Sequence, residues 1–204
     1  IDTGWDDVSE TVKTMNEIGV AAVHIEDQVA QKRCGHRPNK KCVSIAEMNE
    51  RIKAAVNAKI DPDFVVMART DAAASEGLPA AIKRAQAYVE AGADAIFAEA
   101  LTELDQYQQF CDALTVPVLA NITEFGKTPL FTVDQLRSVG VAMVLYPLTA
   151  FRVMNKAALR VYQTVKSEGT QESLLGEMQT REKLYDYLDY YAFEQDQDEE
   201  KTID

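Results

Sequence analysis

The sequence has no apolar run approaching the roughly 20 residues that a membrane-spanning helix requires, and no secretory leader opens it. Cysteine is scarce: Cys34, Cys42 and Cys111 are the only three in 204 residues. An odd, sparse set of this kind is no disulfide framework and suits a reducing, cytoplasmic setting. No Gly-x-Gly-x-x-Gly follows an apolar run, so dinucleotide binding has no support. Cations are in deficit, with 21 Lys and Arg against 33 Asp and Glu and a formal net charge of -12. That balance repels a phosphate backbone and argues against nucleic acid as a partner. The acidity peaks between Glu194 and Asp204, which reads as a solvated end.

What is present suits a folded core: 47% of residues are hydrophobic and 26% charged, the balance of a single globular domain over 1–204. Short apolar runs stand at 22–26 (AVHIE), 64–71 (FVVMARTD), 95–100 (AIFAEA), 118–122 (VLANI) and 142–148 (AMVLYPL). None alternates for long, which is how strands buried on both faces read. Helical patterns fill the spaces between and after them. One spans 44–59, with Ser44 and Glu47 as a capping box, and the next spans 78–91, stopped by Gly92. Others span 102–114, 132–139 before Gly140, 150–168 before Gly169, and 179–195.

Strand–helix alternation predicts an α/β fold with a parallel sheet. Polar residues at the C-terminal ends of the strands (Glu26, Asp71, Glu99, Asn121) favour a (β/α)8 TIM-type barrel. Such a barrel draws its site from many strand ends, whereas an open sheet concentrates it at one switch point. Only five strands are countable. Ile1-Asp2-Thr3-Gly4 reads as the end of a sixth, with two more expected upstream, so the chain reads as part of a longer protein. The barrel core is expected over 1–169 and a C-terminal helical region over 170–204.

Three groups of residues can carry chemistry. Lys32-Arg33-Cys34-Gly35-His36 surrounds a cysteine with positive charge, which lowers a thiol pKa, while Gly35 permits close backbone approach. Cys34 could then be a nucleophile or a proton donor. Alone, the segment reads more readily as a basic surface loop with an incidental cysteine. Asp2, Glu26, Asp27, Asp71 and Glu99 are hard oxygen donors suited to Mg²⁺, which takes few protein ligands. Strand-end acids also cap helices or pair with Arg and Lys, and Asp27 and Asp71 fit that role best. Arg69 lies inside an apolar strand and needs an anionic partner, either Glu99 or a substrate carboxylate. Arg152 and Arg181 fit an anion site and a surface helix equally well. His24 reads as a satisfied core histidine, and Cys42 and Cys111 as packing residues. Tyr185, Tyr187, Tyr190, Tyr191 and Phe193 form an aromatic face that suggests docking onto a neighbouring subunit.

HIEDQ (24–28), KRCGH (32–36), MARTDA (67–72), ANITEFG (120–126), FRVMN (151–155) and MQTR (178–181) stand in the order found in 2-methylisocitrate lyases. The chain resembles that family, within the isocitrate lyase and phosphoenolpyruvate mutase superfamily, from Asp2 to about Phe193. The larger isocitrate lyases carry a second lysine where Arg33 stands. The resemblance implies an eight-stranded barrel with Mg²⁺ that cleaves 2-methylisocitrate to pyruvate and succinate in propionate breakdown. It places Asp2 and Glu26 at the metal. It makes Cys34 catalytic, with Arg33 and His36 beside it, and puts Cys34, Gly35, Arg69, Glu99, Asn121, Ile122, Thr123, Arg152 and Arg181 on a tricarboxylate substrate. It also implies a homo-oligomer, a dimer of dimers (a homotetramer).

Two features depart from the family. The second aspartate of its Asp-x-Asp pair would stand immediately before Ile1, and the loop after Trp5 is about four residues short by that comparison. Oxaloacetate hydrolase or isocitrate lyase activity, or an inactive barrel fragment that binds a partner, are the alternatives.

Overall fold

The computed structural model describes residues 1–34 and 39–200. The five apolar runs form strands β1 (Ala22–Glu26), β2 (Val65–Thr70), β3 (Ala95–Ala98), β4 (Val118–Asn121) and β5 (Met143–Leu145). All neighbours pair in parallel, and the sheet order is β1-β2-β3-β4-β5. A doubly wound sheet reverses its order at a switch point. This sheet does not: its fold is α/β with the consecutive strand order of a β/α barrel wall. Ile1–Gly4 is a turn closed by Gly4 N donating to Ile1 O at 2.8 Å, not the strand end expected there. It nevertheless bonds to β1, since Glu26 N donates to Asp2 O at 2.8 Å.

Side chains alternate across each strand. Ile25, Val66, Ala68, Ile96, Ala98, Val118 and Ala120 face the helices and are almost fully buried. The helices covering that side are α1 (Val8–Glu17), α2 (Ile45–Asn57), α4 (Leu78–Glu90), α5 (Leu104–Ala113) and α6 (Val133–Ser138), with α3 (Ala73–Glu76) a single turn after β2. The helix α1, not among the helices expected above, is capped by Asp7, whose side chain accepts from Glu10 N. Ser44 caps α2 as expected. The other half of its predicted capping box is diverted, because Glu47 pairs with Arg51 at 2.7 Å instead. The capping box that does form is Thr132–Gln135 on α6. Gly140 then ends α6 at φ 88, where a side chain's Cβ would come 3.0 Å from Cys111 Cβ.

The chain divides into two compact units, Ile1–Thr149 and Ala150–Asp204, an earlier boundary than the expected one after Gly169. The boundary falls at the start of α7 (Thr149–Glu168), a helix with none of its 20 residues buried. The second unit continues through a 3-10 turn (Glu172–Glu177), α8 (Arg181–Leu188) and α9 (Tyr190–Glu200). Its last two helices were expected as one. Asp189 breaks them by adopting a left-handed conformation at φ 50. No helix among the described residues is long and apolar enough to cross a membrane.

Candidate active site

The sheet face turned away from the helices changes character along the strands. His24, Met67, Phe97 and Leu119 share it, and each is followed two residues later by a polar side chain: Glu26, Arg69, Glu99 and Asn121. The two-residue period of a strand therefore stacks a polar layer on an apolar one at the C-terminal edge of the sheet.

Arg69 is the centre of that layer. Its guanidinium donates to Asp71 at 2.9 and 3.2 Å, lies 3.6 Å from both Glu26 Oε2 and Glu99 Oε2, and covers the Phe97 ring at 4.8 Å from the centroid. Burial opposes its charge, but Glu99, Asp71 and Glu26 outweigh it and hold Arg69 protonated above its ordinary value. Asp71 is also paired with Lys40 at 3.1 Å, with both side chains buried. Burial alone would raise the Asp71 pKa, but the hydrogen bonds and charge of Arg69, with Lys40, leave it below the ordinary value. Asn121 Nδ2 donates to Glu99 Oε2 at 3.3 Å, while its Oδ1 has no hydrogen-bond partner among the described residues.

At the β1 end the Glu26 side chain is fully buried and its Oε1 has no hydrogen-bond partner among the described residues. Burial holds this carboxyl above its ordinary pKa despite Arg69 and Lys32. Lys32 lies between the two expected metal ligands. Its ammonium donates to Asp2 Oδ1 and stands 3.4 Å from Glu26 Oε2. The hydrogen bond from Lys32 keeps the Asp2 carboxyl below its ordinary value. Among the described residues no group of three or more His, Cys, Asp and Glu could form a metal cage. Two hard carboxylates, one with an orphaned buried oxygen and both drawn to a cation, fit an ion such as Mg²⁺ that keeps most of its waters.

The segment bearing Cys34 is tied down through Gln28, a residue the sequence did not single out. The buried Gln28 amide donates to Arg33 O at 2.8 Å and accepts from Arg33 N at 2.9 Å. Arg51 in turn donates to Gln28 O at 3.0 Å. Cys34 and the Arg33 side chain are exposed. Lys32, expected to bring positive charge to the thiol, places its ammonium on Asp2 and Glu26. Gly35 and His36 lie outside the described residues.

The remaining candidates divide. Thr123 is buried beside Asn121. Ile122 packs into the helix-side core and donates its N–H to Leu145 O at 2.9 Å, so only its carbonyl is left to meet a ligand. Arg152 and Arg181 belong to the second unit, in the first turns of α7 and α8, and both are exposed. Asp27 points to the helix side. It accepts from Thr70 Oγ1 at 2.7 Å, Asp71 N at 2.9 Å and the Tyr88 hydroxyl at 2.9 Å, the structural role expected of it. Cys42 packs nearby, and burial, then Asp27, push its thiol up to about 12. His24 is not the satisfied core histidine expected. It packs edge-on against Phe97 at 5.3 Å, but its Nδ1 has no hydrogen-bond partner among the described residues. Burial chiefly pushes its pKa down to about 4. Lys40 was also missed, because a lysine in a Lys-Lys pair carries no sign of burial.

The sequence model of the phosphoenolpyruvate phosphomutase family matches residues 1–166. The chain belongs to that family. Within the wider phosphoenolpyruvate mutase and isocitrate lyase superfamily it is 64% identical over 188 residues to the 2-methylisocitrate lyase of Escherichia coli (strain K12). That match takes in 92% of this chain and 64% of the relative, so the chain spans about two thirds of the relative's length. A crystal structure of 2,3-dimethylmalate lyase superposes with a TM-score of 0.86 at 34% identity, over 96% of this chain and 67% of that one. Phosphonopyruvate hydrolase in complex with oxalate and Mg²⁺ superposes with a TM-score of 0.81 at 27% identity, over 95% of this chain and 69% of that one. The resemblance to 2-methylisocitrate lyases drawn from KRCGH and its companion motifs is thus borne out at the family level.

Proposed function

We propose that the protein is a cytoplasmic carbon–carbon lyase that cleaves 2-methylisocitrate to pyruvate and succinate. The observation that carries this reading is the layer of Glu26, Arg69, Glu99 and Asn121 at one sheet edge, next to the segment bearing Cys34. The identity of the relatives supports the choice of substrate. Three free cysteines fit a reducing compartment.

Asp2 and Glu26 would hold Mg²⁺, which when bound supplies a Lewis acid for the substrate's hydroxyl and its neighbouring carboxylate. The rest falls to the chain itself. As it stands the layer sets Asp2, Glu26, Asp71 and Glu99 against Lys32, Lys40 and Arg69, so it is close to neutral. Adding a divalent charge makes it a receptor for a tricarboxylate. Arg69, fixed by Asp71 and stacked on Phe97, presents a rigid guanidinium to one substrate carboxylate. Beside it, Asn121 Oδ1 can accept from the substrate hydroxyl and the Thr123 hydroxyl can donate to a carboxylate. Loss of the tertiary hydroxyl proton to a base breaks the adjacent carbon–carbon bond. The ketone of pyruvate forms, and the electron pair remains on the carbon that becomes succinate. Cys34 Sγ gives that carbon its proton, and the resulting thiolate regains one from solvent after product leaves. Arg33 and His36 flank the thiol in sequence and would stabilise that thiolate.

A substrate panel tests the assignment. The full-length protein is expected to have a kcat/KM for 2-methylisocitrate at least about tenfold above those for isocitrate and oxaloacetate, the discrimination a pocket gains from one well-placed methyl group. A higher value for oxaloacetate would move the assignment to a hydrolase.

A further inference from the structure

The position of Lys32 is not explained by the proposed reaction. Lys32 sits two residues before the candidate acid Cys34, yet its ammonium bridges Asp2 and Glu26, the two carboxylates with a cation-holding geometry. Glu26 is fully buried and keeps one orphaned oxygen even with Lys32 in place, so the ammonium satisfies the pair only in part. A point charge on a flexible stem neutralises carboxylates but cannot serve four lone-pair directions at once. Lys32 can leave the pair without disturbing the segment's backbone. Its side chain is 36% exposed, whereas the neighbouring Arg33 backbone is held on both sides by the Gln28 amide.

We propose that Lys32 is a built-in counter-cation of the Asp2–Glu26 pair, displaced when a divalent cation binds. The exchange releases no proton and raises the positive charge facing the two carboxylates from one to two. The cation enters between the two carboxylates, and the Lys32 ammonium leaves them, still protonated. Two consequences follow. The metal-free site is kept from collapsing or gathering stray cations, because its own ammonium fills it. Metal occupancy also frees Lys32 on the segment that carries Cys34, so the setting of the thiol depends on whether the site is charged. The freed ammonium is then available to an anionic substrate. This inference rests on Asp2 and Glu26 being the metal-holding pair.

The test is metal binding without turnover, with Mn²⁺ as the probe, titrated into the full-length protein and followed by electron paramagnetic resonance. Lys32→Met is expected to bind Mn²⁺ about three- to tenfold more tightly than the parent, the gain from deleting a partly exposed competing ion pair. Lys32→Arg keeps a cation and should remain within about twofold of the parent. Arg33→Met removes the same charge one residue away, so any gain it shows measures the general field alone. The rate of Cys34 alkylation supplies a second readout. It should change about threefold or more on adding Mn²⁺ to the parent, and not in Lys32→Met. An equal gain in Lys32→Met and Arg33→Met, or an equal alkylation response in the parent and Lys32→Met, would overturn the proposal while leaving the metal site standing. Failure of every variant to bind Mn²⁺ would remove the metal site and this inference together.

Discussion

Individual ionisable groups at the sheet edge differ because their neighbours differ. Glu26 and Asp71 are both fully buried carboxylates in contact with Arg69. Glu26 is held above its ordinary pKa, since burial outweighs its looser 3.6 Å contact. Asp71 is held below, since two direct hydrogen bonds from Arg69 outweigh burial. At His24 burial, joined by the positive charges of the Ile1 ammonium, Arg69 and Lys32, outweighs Asp2. Its imidazole titrates near 6.5 when unfolded and near 4 when folded. Between those values the unfolded chain binds more protons, so stability falls as the pH drops from 6.5 towards 4. Allowing for its partial exposure, His24 should cost about 1 kcal/mol of stability between pH 7.5 and pH 5. Urea denaturation of His24→Leu is expected to show a correspondingly weaker loss over that interval. An identical loss in both proteins would mean that His24 is not held neutral. At Cys34 the prediction is kinetic. Serine preserves size but is a far weaker acid, so Cys34→Ser should lose about 10²–10⁴-fold in kcat while substrate binding, measured calorimetrically, is kept. Near-parental turnover would take Cys34 out of the mechanism. Glu26, Arg69, Glu99 and Asn121 were legible in the sequence, because a polar residue closing an apolar strand has few reasons to be there. Gln28 and Lys40 were not, because their burial depends on contacts made across 5 and 31 residues of chain.

The elements that position the site are joined on their hidden side by Asp27. One carboxylate ties the end of β1 to Thr70 and Asp71 at the end of β2 and to Tyr88 on α4, with Arg84 at 3.9 Å. Removing it leaves three buried donors without their acceptor. Asp27→Ala is therefore expected to destabilise the fold by roughly 3–5 kcal/mol. Chemical denaturation measures this directly, and a change below about 0.5 kcal/mol would show that water or another group replaces the carboxylate. The five strands were readable to within about three residues at either end, since a run buried on both faces is apolar throughout. In α1 the apolar residues Val8, Val12 and Met15 do stand at i, i+4 and i+7, so the helix was legible from its spacing and from Asp7 at its N-cap, although it is short and rests on packing against the core. The break between α8 and α9 was not legible, because it rests on a single left-handed aspartate inside an otherwise continuous helical pattern.

At the scale of the whole molecule, the two units differ in how they treat apolar surface. The sheet unit has a buried core yet still exposes Trp5, Ile18, Phe125 and Leu130, while the second unit buries Leu174 and exposes Tyr162, Leu159, Tyr187, Leu188, Tyr191 and Phe193. Tyr185 and Tyr190 stack at 4.3 Å. Surface of this kind marks an interface, and we infer that it mediates association of identical subunits as a dimer of dimers. Deleting the chain from Gln179 onward should lower the mass seen by sedimentation to that of a smaller assembly or a monomer. An unchanged assembly would place the interface elsewhere. All these features serve one central claim, that the polar layer at the sheet edge cleaves a hydroxylated tricarboxylate with the help of a weakly held divalent cation. The most direct measurement is the release of pyruvate from 2-methylisocitrate by the purified full-length protein, followed with Mg²⁺ present and again after chelation. Pyruvate should form with Mg²⁺ and cease on chelation with no change in circular dichroism, because two carboxylates contribute little metal-dependent folding energy. No pyruvate from a folded, magnesium-loaded sample would contradict the account.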